Sequence, residues 1–175
     1  MERRRHITYH GNYFRDFYEE QARDVQDKID WTFIIIETLK IIPEKYLKHI
    51  TGTDGIYEIR VQRGSNAFRI FCFFDKDNLI VLGNGFQKKT EKTPQNEIEK
   101  AIKIKKGMKK KILTTFDEHL DYYHGKPGTK KREEFENGFR EFYRQEMLEL
   151  EKEEKSKAKK RRLSTSTSTR ASSRP

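Results

Sequence analysis

The sequence predicts an α+β protein, in which a small antiparallel sheet follows two helices, precedes a third helix and is joined to a C-terminal helical arm. Three observations lead to this fold class. Apolar residues recur at helical spacing early in the chain, three strand-like runs follow with short turns between them, and a Thr-Pro pair then opens a charged helix. The order β-α-α-β-β-β-α describes one compact domain over residues 1–106.

The first elements are a short strand and two helices. Residues 5–9 alternate in polarity and predict a strand that the Gly11-Asn12 pair ends. Asn12 is a suitable N-cap for an aromatic-rich first helix. Apolar side chains at helical spacing then predict a second helix over residues 23–39, which Pro43 stops.

The sheet is expected to be a meander of three strands, residues 56–62, 67–74 and 79–86. Short turns join these runs, so neighbouring strands should be antiparallel. A helix from Pro94 to about residue 106 follows, with Thr93 as its expected N-cap.

Charge and composition limit the classes of function. The net charge is +10, but residues 151–175 carry nine Lys and Arg against three Asp and Glu, so the basic excess lies mostly in the tail. Cys72 is the single cysteine, which excludes an internal disulfide and favours a reducing, cytoplasmic location. The most apolar run, residues 31–42, contains two charges and is too short to span a bilayer. We therefore expect no membrane partner.

The most informative stretch is the strand-to-helix joint at residues 85–98. It combines lysines and threonines with one aromatic residue, which suits a phosphodiester group at a helix start. Two strand arginines, Arg60 and Arg69, stand among apolar neighbours and need a charged partner or a solvated opening. Two interpretations remain open: a salt bridge with Glu58 or an aspartate, or one concave basic site shared with the joint.

A concave basic site could stabilise the phosphorane that forms when a ribose 2′-hydroxyl attacks its own phosphate. Because the 2′-hydroxyl nucleophile is already tethered next to the phosphate, this chemistry needs neither a metal nor a small-molecule cofactor. We therefore expect neither in this protein. The candidate catalytic residues are Arg60, Arg69, Lys88, Lys89 and Lys92, and the candidate RNA-binding residues are Phe86, Thr90 and Thr93. Phe86 could stack on a base or plug the strand end. The histidines His6, His10 and His49 are expected to be surface or structural residues.

Residues 5–106 resemble the phage-derived Gp49-like, HigB-type toxins of the RelE/ParE superfamily. The resemblance rests on residues 57–61, on residues 68–74 and above all on the 85–94 segment that leads into residues 97–101. It implies a RelE-like sheet flanked by helices and a toxin that cleaves mRNA on the ribosome, with the five candidate cations as the matched basic positions. It also implies an antitoxin partner. The alternatives are a ParE-like gyrase inhibitor and a non-catalytic regulator that binds RNA, a toxin or an antitoxin.

Residues 115–136 resemble the N-terminal arm of an XRE-type, HigA-like antitoxin. The predicted domains are therefore a toxin domain at 1–106, a basic linker at 107–114, an arm at 115–155 and a disordered low-complexity tail at 156–175. The arm helix carries one apolar stripe, which cannot be buried by the helix alone. We expect this stripe to pack on the toxin domain and to stabilise or inhibit it; its members are Phe135, Phe139, Phe142 and Met147.

Overall fold

The computed structural model describes residues 2–76, 78–90, 92–108 and 113–168. It contains a six-stranded mixed sheet. The strands of these residues are β1 (His6–Tyr9), β2 (Leu47–His49), β3 (Ile56–Arg63), β4 (Asn66–Asp75), β5 (Leu79–Lys88) and β6 (Thr114–Thr115). Their order in the sheet is β2-β3-β4-β5-β1-β6. β1 runs parallel to β5, and all other neighbouring pairs are antiparallel. The predicted α+β class and the β3-β4-β5 meander are confirmed.

Helices lie before and after the meander. They are α1 (Tyr13–Glu19), α2 (Arg23–Thr38), α3 (Gln95–Gly107), α4 (Phe116–His124) and α5 (Lys130–Ser168) in the described residues. Asn12 occupies the N-cap position of α1, but its side chain makes no capping hydrogen bond, contrary to the prediction. None of the described helices combines the length and the apolar composition that crossing a bilayer requires.

The two faces of the meander pack against different helices. Ile56, Phe73 and Val81 are paired in register and form a core cluster with Ala101 of α3. Gly85 of β5 belongs to the other face, where a Cβ atom would lie only 2.2 Å from Cδ1 of Phe17 in α1. The sheet is therefore covered by α3 on one face and by α1 on the other.

The chain divides into two compact units inside α5, one through Phe135 and one from Glu136. This division differs from the predicted boundary after residue 106, because β6 pairs with β1 and brings α4 into the first unit. Helix α5 continues to Ser168, past the predicted end of the arm at residue 155. Ion pairs between Lys155 and Glu151 and between Lys157 and Glu153, four residues apart, support this extension.

Residues 156–168, for which the sequence predicts disorder, belong to helix α5 in the structure. The prediction for residues 169–175 lies outside the described residues, as does most of the basic linker, residues 109–112.

Candidate nucleic-acid interface

Three of the predicted site residues lie side by side across the meander. Arg60 of β3 pairs in register with Arg69 of β4, which pairs in turn with Phe86 of β5. Residues paired in this way project from the same face of a sheet. Lys88 follows Phe86 by two residues on β5 and therefore projects from that face as well. This row of side chains, Arg60-Arg69-Phe86 with Lys88, is called the sheet-face site below.

A β-bulge is responsible for the position of Phe86. The pairing of β4 with β5 shifts by one residue between Ile70 and Cys72. Such a shift moves side chains to the opposite face of a strand. Without it, Gly85 would stand opposite Arg69, and the aromatic ring would project away from the arginines.

Glu58 lies between the two arginines. Its Oε1 atom is 3.2 Å from Nε of Arg60 and 3.7 Å from Nε of Arg69, and Glu58 is almost completely buried. The ion pair that the sequence left open as an alternative is thus present for both arginines. The side chain of Arg60 remains 30% exposed, whereas that of Arg69 is 9% exposed. Arg60 is therefore the arginine of the pair that a ligand can reach.

The side chain of Arg69 is buried and contacts other groups of the protein rather than solvent. Its Nη1 donates a hydrogen bond of 2.8 Å to the carbonyl of Phe68. Burial lowers the pKa of Arg69, and of its two charged neighbours Glu58 raises it and Arg60 lowers it. This arginine holds the carboxylate that also contacts Arg60, so it positions the more exposed group.

The start of α3 is attached to the sheet beside these residues. Thr93 does not cap helix α3, contrary to the prediction, because Pro94 occupies the N-cap position. The hydroxyl of Thr93 instead donates a hydrogen bond of 3.4 Å to Oε2 of Glu58. A buried carboxylate needs hydrogen-bond donors, which explains why the hydroxyl turns toward the sheet. The side-chain amide of Asn84 donates to Oε2 of Glu97 in the first turn of α3, at 2.7 Å.

The remaining predicted cations lie beyond the end of β5. Lys89 and Lys92 are both exposed, and the Thr90 hydroxyl closes a turn by donating to the carbonyl of Lys92 at 2.9 Å. Lys89 lines a hollow between α1 and β5 together with Phe86. The five cations therefore divide between the sheet-face site, which holds Arg60, Arg69 and Lys88, and the segment after β5 that carries Lys89 and Lys92, called the exit loop below.

Sequence reasoning missed a buried polar cluster that attaches α4 to the N-terminal helices. Asp30 of α2 is fully buried, and its carboxylate accepts three hydrogen bonds. The donors are the Tyr18 hydroxyl at 2.6 Å, Nε2 of His119 at 3.0 Å and Nε2 of His124 at 2.6 Å. A guanidinium nitrogen of Arg23 lies 2.6 Å from Nδ1 of His124. Because a guanidinium only donates, Nδ1 accepts this bond and Nε2 carries the proton directed at Asp30.

The electrostatics of this cluster depend on the histidines. Burial would raise the pKa of the Asp30 carboxyl, but the electrostatic interactions and hydrogen bonds with His119 and His124 outweigh burial and lower it. A signal for the cluster was present in the sequence. Asp30 stands between Ile29 and Trp31 in the most apolar helix, and a buried carboxylate there requires donors from elsewhere in the chain.

The predicted apolar stripe begins in the first unit. The ring centroid of Phe135 lies 3.8 Å from that of His124 and 6.2 Å from that of Trp31. In the second unit, the Phe139 ring lies 6.5 Å from that of Phe142. Packing of Phe139, Phe142 and Met147 on the toxin domain stays a prediction.

Comparison with known proteins identifies one family. The family model described as "Phage derived protein Gp49-like (DUF891)" matches residues 16–106, slightly more than half of the chain. The matched range contains the whole sheet-face site, its partner Glu58 and helix α3 up to its penultimate residue. No curated protein matches the chain significantly.

Proposed function

The chain belongs to the phage-derived Gp49-like family of RelE- and HigB-like toxins, and we propose that it is a type II toxin that cleaves mRNA on the ribosome. Its partner under this proposal is an antitoxin protein of the XRE or HigA type. The observation that supports the activity best is the in-register row of Arg60, Arg69 and Phe86, in which Arg60 stays open to a ligand.

The proposed reaction is attack of a ribose 2′-hydroxyl on the adjacent phosphate. A bond forms between O2′ and phosphorus, the bond from phosphorus to O5′ breaks, and the 2′-hydroxyl proton leaves as the 5′-oxygen gains one. The products are a 2′,3′-cyclic phosphate and a 5′-hydroxyl end. The guanidinium of Arg60 and the ammonium of Lys88 oppose the negative charge that develops on the phosphate oxygens.

The ring of Phe86 is placed so that an RNA base could stack on it. Its ring packs against Phe71 at a centroid distance of 5.5 Å and remains partly exposed. A single-stranded base can stack on such a ring while its phosphate meets the neighbouring cations. In this arrangement Thr93 acts through Glu58, which its hydroxyl contacts.

Cleavage by purified ribosomes programmed with mRNA tests the proposal. We expect defined cleavage products with the wild-type protein and a loss of roughly 10²- to 10³-fold in rate for Arg60→Ala. Arg63→Ala is the matched control, because Arg63 ends the same strand on the opposite face and pairs with Asp24 at 2.8 Å. Its rate should stay close to that of the wild type.

Two results would contradict the proposal. Absence of defined products with the wild-type protein would favour the non-catalytic regulator. DNA damage without translation arrest in cells that express the protein would favour the gyrase inhibitor.

We further propose that α4 stabilises the toxin domain rather than covering its cations. The partners of α4 include Asp30 and Phe33 of α2, with 5.5 Å between the ring centroids of Phe33 and Phe116. The sheet-face site lies on the face that α3 covers. Deletion of residues 113–175 should therefore lower the free energy of unfolding without increasing growth arrest at equal soluble protein. An increase in growth arrest would instead support inhibition by the arm.

A further inference from the structure

A groove runs between α1 and α3 at the edge of the sheet. It lies where β5 continues beyond its last pair with β1, Tyr9 with Leu82. Two hollows of about 320 and 520 Å³ adjoin there, since Tyr13 and Lys100 line both. Phe86 also lines the larger hollow, so the groove reaches the sheet-face site.

One side of the groove is positively charged. Lys100 and Lys103 lie one turn apart on α3, and Lys89 of the exit loop lines the larger hollow. All three are exposed, and none forms an ion pair with a residue that the structure describes. Ammonium groups with this freedom and spacing can follow a phosphate backbone.

The other side, formed by α1, has a different chemistry. Tyr13 and Asp16 of α1 line it together with Glu20, the C-cap of that helix, at positions i, i+3 and i+7, so they share one face. Tyr13 is 46% exposed, and its ring is available for stacking. Carboxylates at Asp16 and Glu20 repel phosphate but accept hydrogen bonds from the amino groups of bases.

His10 adds an unsatisfied polar group to the smaller hollow. It lies between β1 and α1, and its Nδ1 atom is buried without a hydrogen-bond partner among the described residues. Buried polar atoms in native proteins are nearly always paired. A phosphate or hydroxyl group of a ligand in this hollow would supply the missing partner.

We propose that this groove binds single-stranded RNA, with phosphates along the α3 lysines and a base stacked on Tyr13. A single strand is required because duplex bases could not turn toward α1. The inference rests on the proposed function, since it supplies a binding path for the same substrate beside the sheet-face site.

Binding of a 2′-O-methyl RNA of about 12 nucleotides to the full chain tests the groove. The methyl groups block attack by the 2′-oxygen, so affinity is measured separately from cleavage. We expect Lys100→Gln combined with Lys103→Gln to weaken binding about tenfold or more. The slope of log affinity against log salt should shrink by about 1.4 over roughly 50–200 mM salt, from two lost phosphate contacts. Lys40→Gln combined with Lys76→Gln removes two exposed charges outside the groove and should change neither quantity.

Two further variants test the α1 side. Tyr13→Ala should weaken binding roughly 5- to 100-fold, the effect of losing one stacked base, whereas Tyr13→Phe keeps the ring and should bind as the wild type does. His10→Ala should weaken binding about 2- to 10-fold. Circular dichroism of each variant checks that the fold is retained.

The outcomes separate this inference from the proposed function. Weakened binding in the groove variants supports the groove even if programmed ribosomes show no cleavage, a result against the proposed function alone. Unchanged affinity and salt slope in the lysine pair overturn the groove whatever the cleavage assay shows. The RNA groove is also overturned if the groove variants lose affinity for the antitoxin while their affinity for RNA is unchanged. The groove would then bind an acidic protein segment.

Discussion

Removal of the Tyr18 hydroxyl tests the buried cluster that joins α4 to α2. The hydroxyl donates to the Asp30 carboxylate at 2.6 Å, and both residues are fully buried. Burial and the Asp30 charge raise the pKa of Tyr18, so the hydroxyl remains a donor at ordinary pH. A hydrogen bond to a charged group contributes about 1.5–3 kcal/mol, and His119 and His124 still satisfy the carboxylate in the variant. We therefore expect Tyr18→Phe to lower the free energy of unfolding by about 2 kcal/mol.

Asp30→Asn should have a larger effect, roughly 3–5 kcal/mol, because it removes the charge that three donors surround. The pH dependence has a definite sign. The pKa of Asp30 is lowered by folding, so its stabilisation is complete above the unfolded-state pKa of about 3.9 and is lost as the pH falls through the folded-state pKa. Asp30→Asn should lack this contribution to acid unfolding.

Urea unfolding followed by Trp31 fluorescence measures these changes, since Trp31 is the single tryptophan and adjoins Asp30. Tyr122→Phe is the matched control, because Tyr122 is 77% exposed and its hydroxyl can be lost with little effect. If Tyr18→Phe stays within about 0.5 kcal/mol of the wild type, the reasoning about a charge-assisted bond is refuted.

Two further predictions concern pH and packing. Burial raises the pKa of Glu37 to about 7 from a usual 4.5. Ionisation of this carboxyl therefore opposes folding, and the wild type should lose stability as the pH rises from about 4.5 to about 7. Glu37→Gln keeps an acceptor for the Ile7 amide. Relative to the wild type, this variant should gain stability from the low-pH end of this range to the high-pH end, by up to about 3 kcal/mol. A difference in urea midpoint between variant and wild type that is equal at the two ends would contradict this. Gly85→Ala places a Cβ 2.2 Å from the Phe17 ring and should cost about 1–3 kcal/mol in urea unfolding. Gly107→Ala, which meets open space, is its control, and equal stability of the two variants would refute the packing argument.

Much of the fold was predictable because its signals are local. The periodicity of α2 and α3 and the turn-separated runs of β3, β4 and β5 predicted elements whose bounds agree with the structure within about two residues. Strands β2 and β6 were missed, since three and two residues carry no usable pattern. They are strands only because β3 and β1 offer them open edges.

Part of the candidate site could be predicted from the sequence. The tight connection at Gly64 and Ser65 pairs Arg63 with Asn66, and counting back along both strands places Arg60 opposite Arg69. Glu58, two residues earlier on the same face, then becomes a natural partner for both arginines. The groove between α1 and α3 could not be predicted, because these two helices are remote from each other in sequence.

The sequence by itself determined which side chains each element carries and which face of a strand they share, because alternation and helical periodicity are properties of the local backbone. Only the tertiary structure decided that Phe86 rather than Gly85 stands beside Arg69, through a one-residue bulge between Ile70 and Cys72. It also decided that Asp30 meets two histidines about 90 residues later. Such pairings depend on the balance of packing and hydrogen bonds over the whole molecule, which no local pattern specifies.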